Sequence, residues 1–176
     1  MMQLSKYVAC ICEGGAEKNI IELLLDANRL MFTYDDLLEG EVLPCRSADS
    51  FEKQYLRKGF TEAITVLRIL DSRGEKFNLS KAYVHKIKKV INVITAPEIE
   101  ILVILNENRY DDYSKFKSKK KPSLYCKENL GFHDVKSKNF MKGYFSNIDA
   151  LVAAIKEYKR VSYVQRNELT LADLLK

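Results

Sequence analysis

Apolar and polar positions along the chain alternate between two rhythms. Lys6 to Cys12 (KYVACIC) is a short apolar run that stops at Glu13-Gly14-Gly15, the pattern of a strand feeding a tight turn. From Ala16 to Met31 the residues Ile20, Ile21, Leu24, Leu25, Leu30 and Met31 recur at three- and four-residue spacing. That spacing predicts an amphipathic helix, with Glu17 in its first turn where the helix dipole favours negative charge. Glu41 to Arg46 (EVLPCR) predicts a second strand, with Pro44 confining it to an edge. Ala48 to Arg57 reads as a helix that gathers Phe51, Tyr55 and Leu56 on one side. Ile64 to Leu70 (ITVLRIL) is the clearest strand signal and ends at Asp71, and Lys89 to Thr95 is a further β-branched run. Pro97 is expected to open a helix at its favoured first-turn position, with Glu98 and Glu100 inside that turn. Tyr110 to Lys176 reads as mostly helical, with breaks around Lys121-Pro122, Gly131 and Gly143 and clearer pieces at Ala150–Tyr158 and Leu169–Leu175.

Strands that alternate with helices predict an α/β fold with a mostly parallel sheet flanked by helices and a helical C-terminal portion. The chain has 176 residues, which fits one domain of ordinary size. Residues 1–108 form its α/β core in this reading, and residues 109–176 are a lysine-rich helical extension of the same domain. Hydrophobic residues make up 47% and charged residues 30%, with 7 Gly and 3 Pro, which excludes a disordered or collagen-like chain. No apolar run approaches the ~20 residues needed to span a bilayer. The start, MMQLSKYVACICEGG, does not read as a signal peptide, so a cytoplasmic protein without a membrane partner is expected.

The net charge of +5 is concentrated. Residues 1–108 carry 14 basic against 16 acidic side chains, whereas residues 109–142 carry 10 against 4. The excess centres on Lys115, Lys117, Lys119, Lys120, Lys121 and Lys127. Such a window is either a footprint for a polyanion, most simply nucleic acid, or a solvated loop. Tyr113, Phe116 and Tyr125 interleave with the lysines, and could either stack on bases or form the buried stripe of a helix. Cys10, Cys12, Cys45 and Cys126 lack the paired spacing of a zinc site and read as reduced core residues. His85 and His133 read as surface or half-buried residues.

In parallel α/β sheets, chemistry sits at the carboxyl ends of the strands. Here that rule selects Glu13, Asp71, Glu98 and Glu100. Carboxylates gathered at one edge repel one another unless a cation lies between them, and oxygen-rich open sites suit Mg²⁺ or Mn²⁺. Such an ion can activate a water for attack on a phosphodiester. Glu17, Glu98 and Glu100 are also explained as helix N-terminal acids without any chemistry.

Glu13-Gly14-Gly15-Ala16-Glu17, after an apolar strand and opening a helix, resembles the first motif of TOPRIM domains. It is closest to the E-G-x-x-E form of the OLD-family and RloB-like nucleases of bacterial defence loci. Asp71, at the end of ITVLRILD, resembles the first aspartate of the family's D-x-D motif. Ala96 to Leu105 is similar to the N-P-x-F-E-x-W-L-L segment of RloB-like chains, matched at Pro97 and Glu100. The resemblance spans about Tyr7 to Leu105. It implies a Mg²⁺-dependent domain that cuts or rejoins phosphodiesters, with Glu13 as the acid/base, Asp71 as a metal ligand, and Glu17 and Glu100 in support. Where the family has its second aspartate, this chain has Arg73. Glu75 could replace it if the loop curls, and Arg73 could contact a phosphate or pair with Glu13. The alternatives are a degenerate TOPRIM-like module that binds nucleic acid without cutting, and an interaction subunit acting beside a protein such as an ATPase. The chain lacks both the phosphate-binding G-x-x-x-x-G-K-[ST] loop and the dinucleotide G-x-G-x-x-G.

Overall fold

A computed structural model describes residues 3–165 and 168–176. Its centre is a three-stranded, all-parallel sheet in the order β1 (Val8–Cys12), β2 (Ile64–Leu70), β3 (Ile87–Ile94). Helices α1 (Gly15–Asp26) and α2 (Ala48–Tyr55) lie between β1 and β2, and α3 (Ile101–Asn106) follows β3. Four more lie toward the C-terminus: α4 (Tyr110–Ser114), α5 (Pro122–Asn129), α6 (Phe140–Tyr144) and α7 (Ile148–Val161). The fold class is therefore α/β, as the alternating pattern predicts.

Strand alternation divides the core in two. Val8, Cys10 and Cys12 of β1 and Leu67 and Ile69 of β2 face the larger core, which runs on through α1, α3, α5, α7 and the last turn to Leu174. Ala9 and Ile11 with Ile64 and Val66 face a smaller core closed by Phe51, Leu56, Leu43 and Cys45. A sheet covered on both faces needs continuous apolar strands, and both β1 and β2 are buried along their whole length. β3 is the outer strand with an open face, and its alternate residues Lys88, Val90 and Asn92 are exposed. All four cysteines are free and buried. Both histidines are exposed.

Several expected elements change. The first helix stops at Asp26 because Asn28 takes a left-handed conformation (φ 53°), a geometry that asparagine tolerates. Leu30 then pairs antiparallel with Leu175 instead of continuing the helix. The segment Glu41–Arg46 is not a strand. Leu43 alone bridges to β1, donating to the Cys10 carbonyl at 2.8 Å and accepting from the Cys12 amide at 3.2 Å. Pro44 has no N–H to extend that pairing. Pro97 does not open a helix. It sits in a turn after a cis peptide bond, and α3 begins at Ile101, past Glu98 and Glu100. Pro122 instead takes the first-turn position, in α5. Gly143 lies inside α6 and breaks nothing, whereas Gly131 (φ 76°) follows the end of α5. Among the described residues, no helix is long and apolar enough to cross a membrane.

Candidate functional site

Cys12 pairs with Ile69 across the β1–β2 ladder, so the residues that follow leave the sheet side by side. Glu13 follows Cys12 and Asp71 follows Leu70, the last residue of β2, and both line a cleft of about 500 Å³. Gly14, Gly15 and Glu17 at the start of α1 share it, with Glu75, Glu100, Arg46 and Lys136. The four carboxylates expected at the site, Glu13, Glu17, Asp71 and Glu100, are therefore brought to one concave surface.

Each wall has its own local cause. Gly14 is the N-cap of α1 in extended conformation, and the Glu17 side chain folds back over it. A Cβ at Gly14 would lie 2.3 Å from Glu17 Oε2, so any side chain there would displace the Glu17 carboxylate from its place over the helix start. Glu17 is buried, and burial pushes its carboxyl above its ordinary value, with Asp71 adding in the same direction. Glu13 is pushed up to about 7, first by burial and then by the Glu75 and Asp71 carboxylates. Glu75 moves the other way: its contact with Glu13 and hydrogen bonds from Ser72 and Arg68 hold it below the ordinary range. Two carboxylates in such different environments divide a proton unequally, the arrangement that poises one of them for acid/base work.

The far wall is tied by Lys136. Its ammonium reaches Glu98 Oε1 at 3.0 Å and Glu100 Oε1 at 3.3 Å, and both glutamates are buried. Glu98 Oε2 also accepts the Ser123 amide at 2.9 Å. Glu98 thus caps α5, not the helix that follows it in sequence. Burial works against ionising Glu98, but the bonds from Ser123 and Lys136 prevail and lower its pKa. Glu100, with no such cap, is raised by burial.

The basic residues fall differently. Arg73 lies outside this cleft, in a neighbouring groove beside β3. It pairs with Glu168 at 2.7 Å and donates to the Tyr163 carbonyl at 3.0 Å, so it neither binds Glu13 nor shares the cleft with it. The loop after Asp71 does curl, and Glu75 enters the cleft that Arg73 leaves. In the lysine-rich window, Tyr113 and Tyr125 are buried, packed edge to face at 5.2 Å, and Phe116 packs against the same core. The aromatics are thus a buried stripe, not a base-stacking surface. Lys115 pairs with Asp112 at 3.7 Å and Lys120 with Glu128 at 2.7 Å. Lys117, Lys119 and Lys121 are exposed.

Among the described residues, no three carboxylate, thiol or imidazole groups come together closely enough to enclose a metal ion. Mg²⁺ needs no such enclosure, because it keeps several waters and is held through one or two carboxylates. Glu13 and Asp71 are the carboxylates that would supply oxygens in that looser mode, and a cation there would offset the Glu75 and Asp71 charges that add to burial in raising Glu13. Glu100 is less available, since Lys136 already neutralises it. Three contributors had no clear sequence signal: Arg46, whose guanidinium reaches the Glu13 carbonyl at 3.4 Å, Lys136, and the buried Arg68. Of the three, only Arg68 carries a sequence cue that was open to use, as a single charge within ITVLRIL. No protein-family model, curated protein or solved structure matches the chain.

Proposed function

We propose that the acidic cleft carries out phosphodiester chemistry on nucleic acid, of the metal-dependent kind that the resemblance to TOPRIM nucleases implies. The observation that carries the reading is the meeting of Glu13, Glu17, Asp71 and Glu100 in one cleft at the carboxyl ends of parallel strands. These residues come from segments far apart in sequence. Glu13, poised near neutral pH, is the general acid/base and holds or releases a proton at its carboxylate. Asp71, with Glu13, would hold Mg²⁺ or Mn²⁺, which when bound activates water and offsets charge on the phosphodiester. Glu17 and Glu100 shape the negative field around them. Arg46 and Lys136 are the cations of the cleft and give a phosphate somewhere to rest among carboxylates. The exposed Lys117, Lys119 and Lys121 add long-range attraction for the same polyanion.

Cleavage assays on labelled single- and double-stranded DNA and RNA, with Mg²⁺ or Mn²⁺ and with EDTA, test this directly. Glu13→Gln and Asp71→Asn are expected to lower the rate at least 100-fold while circular dichroism stays unchanged. Cleavage that persists in both variants, or in EDTA, overturns the assignment. A second reading is favoured by one observation: Arg73 stands where the resemblance calls for an aspartate. In that reading the cleft binds nucleic acid without cutting it, and the same assay then shows retained binding with no product under any metal.

A further inference from the structure

Arg68 lies in the central strand of the sheet, and its side chain is only 2% exposed. A guanidinium cannot be deprotonated in a protein, so burying one requires that its donors be satisfied where they sit. On the strand ladder Arg68 shares a face with Ile64 and Val66, so it points toward the smaller core. It packs on the Phe77 ring at 4.7 Å and donates to Asn92 Oδ1 at 3.4 Å. Its remaining bonds go to one residue, the Glu75 carbonyl at 3.3 Å and the Glu75 carboxylate at 3.2 Å. The second carboxylate oxygen of Glu75 accepts from Ser72 Oγ at 2.9 Å. Both oxygens of Glu75 are therefore fixed, and the Asp71–Phe77 loop is drawn back over the sheet end.

We infer that Arg68 is a positioning residue of the cleft, holding the Glu75 carboxylate in the lining that it shares with Glu13 and Asp71. The inference rests on the phosphodiester reading of the cleft for its chemical consequence. A side chain that merely filled the smaller core would be apolar, and the surrounding Phe51, Leu56 and Val66 show that apolar residues suit that space. A charged fork instead fixes one particular carboxylate at one particular angle. In this way Glu75 enters the cleft from a loop position four residues past Asp71, where Ser72 and Arg73 provide no acid.

Two measurements on wild type, Arg68→Lys, Arg68→Met and Glu75→Gln decide the matter. Hydrogen–deuterium exchange without metal reads the loop alone. Amides of residues 72–77 are expected to exchange at least ten times faster in Arg68→Met and in Glu75→Gln, with α7 unchanged. Unchanged exchange in both variants overturns the positioning role whatever the cleft does. Mn²⁺ binding, followed by electron paramagnetic resonance, reads the consequence. Affinity is expected to fall about tenfold in Arg68→Met and Glu75→Gln, less in Arg68→Lys, and no further in the Arg68→Met/Glu75→Gln double variant. Additive losses in the double variant overturn the claim that Arg68 acts through Glu75. Glu75→Gln alters an exposed loop residue, not the central strand, and keeps the test available if Arg68→Met does not fold. Absence of Mn²⁺ binding in wild type refutes the metal-dependent reading of the cleft, while the exchange data still decide Arg68.

Discussion

The acidic cleft and the lysine-rich window are the two concentrations of charge in this chain, and they are built in opposite ways. Lys115 to Lys121 are neighbours in sequence and line no part of the cleft: Lys115 and Lys120 are tied to acids of their own segment, and Lys117, Lys119 and Lys121 stand in solvent. The carboxylates are distant in sequence, from Glu13 to Glu100, and share one cleft. Like charges brought together by folding oppose it, so the fold must supply compensation, visible here as Lys136, Arg46 and Arg68. A run of like charges in an exposed segment costs the fold little and is a weaker indication of a site.

The largest separation between the two regions should come from activity. Glu13→Gln or Asp71→Asn is expected to abolish metal-dependent cleavage, whereas Lys117→Gln/Lys119→Gln/Lys121→Gln leaves turnover of bound substrate intact. Equal losses in the two sets, measured as single-turnover rates, would erase the distinction. Next in size is Lys136→Met, which leaves Glu98 and Glu100 buried without their cation. Its expected cost is about 2 kcal/mol in urea unfolding, less than the roughly 3–5 of a fully buried pair because Lys136 is half in solvent. A change below about 0.5 kcal/mol would mean that the far wall is not held by that ion pair.

Smaller effects sharpen the contrast. Gly14→Ala pushes the Glu17 carboxylate aside and should weaken Mn²⁺ binding severalfold, while Gly15→Ala, with open space around its Cβ, should bind as wild type. Stability in EDTA should also carry a signature of Glu13. Because its folded pKa is raised to about 7, its contribution is most favourable below its ordinary value near 4.5 and declines as pH climbs toward 7. Glu13→Gln removes that decline, so the variant should gain in melting temperature over wild type at pH 8 and lose the advantage at pH 4. A parallel pH dependence in the two proteins would remove the proposed environment of Glu13. Smallest is the lysine effect on binding. The salt dependence of oligonucleotide affinity should shallow by about one unit of slope for each phosphate that a removed lysine had neutralised.

The sheet was legible where local pattern and burial agree. β1 and β2 are short apolar runs with turn chemistry behind them, and the places of Glu13 and Asp71 just past them follow from those runs. Leu30 and Met31 misled because a helical spacing of core residues persists after Asn28 has reversed the chain. Pro97 misled because its surroundings are set by tertiary contacts: the Ala96 carbonyl accepts from Tyr158 in α7, and Glu98 is turned toward α5. Lys136 could not be read at all. It is one of many lysines in its window, and only folding distinguishes it from Lys117 or Lys119. Arg68 is a lone charge in an apolar strand, but its partner lies seven positions away, across the end of the strand.

The tie between Lys136 and the two glutamates also sets an order in time. Glu13, Asp71 and Glu100 are synthesised well before Lys136, and the larger core gains Leu171 and Leu174 last of all. A partial chain on the ribosome therefore carries Glu98 and Glu100 without their counter-charge and a larger core without its closing turn. Domains fold as units once their sequence is available. The far wall of the cleft therefore gains its counter-charge only once Lys136 has joined the folded chain.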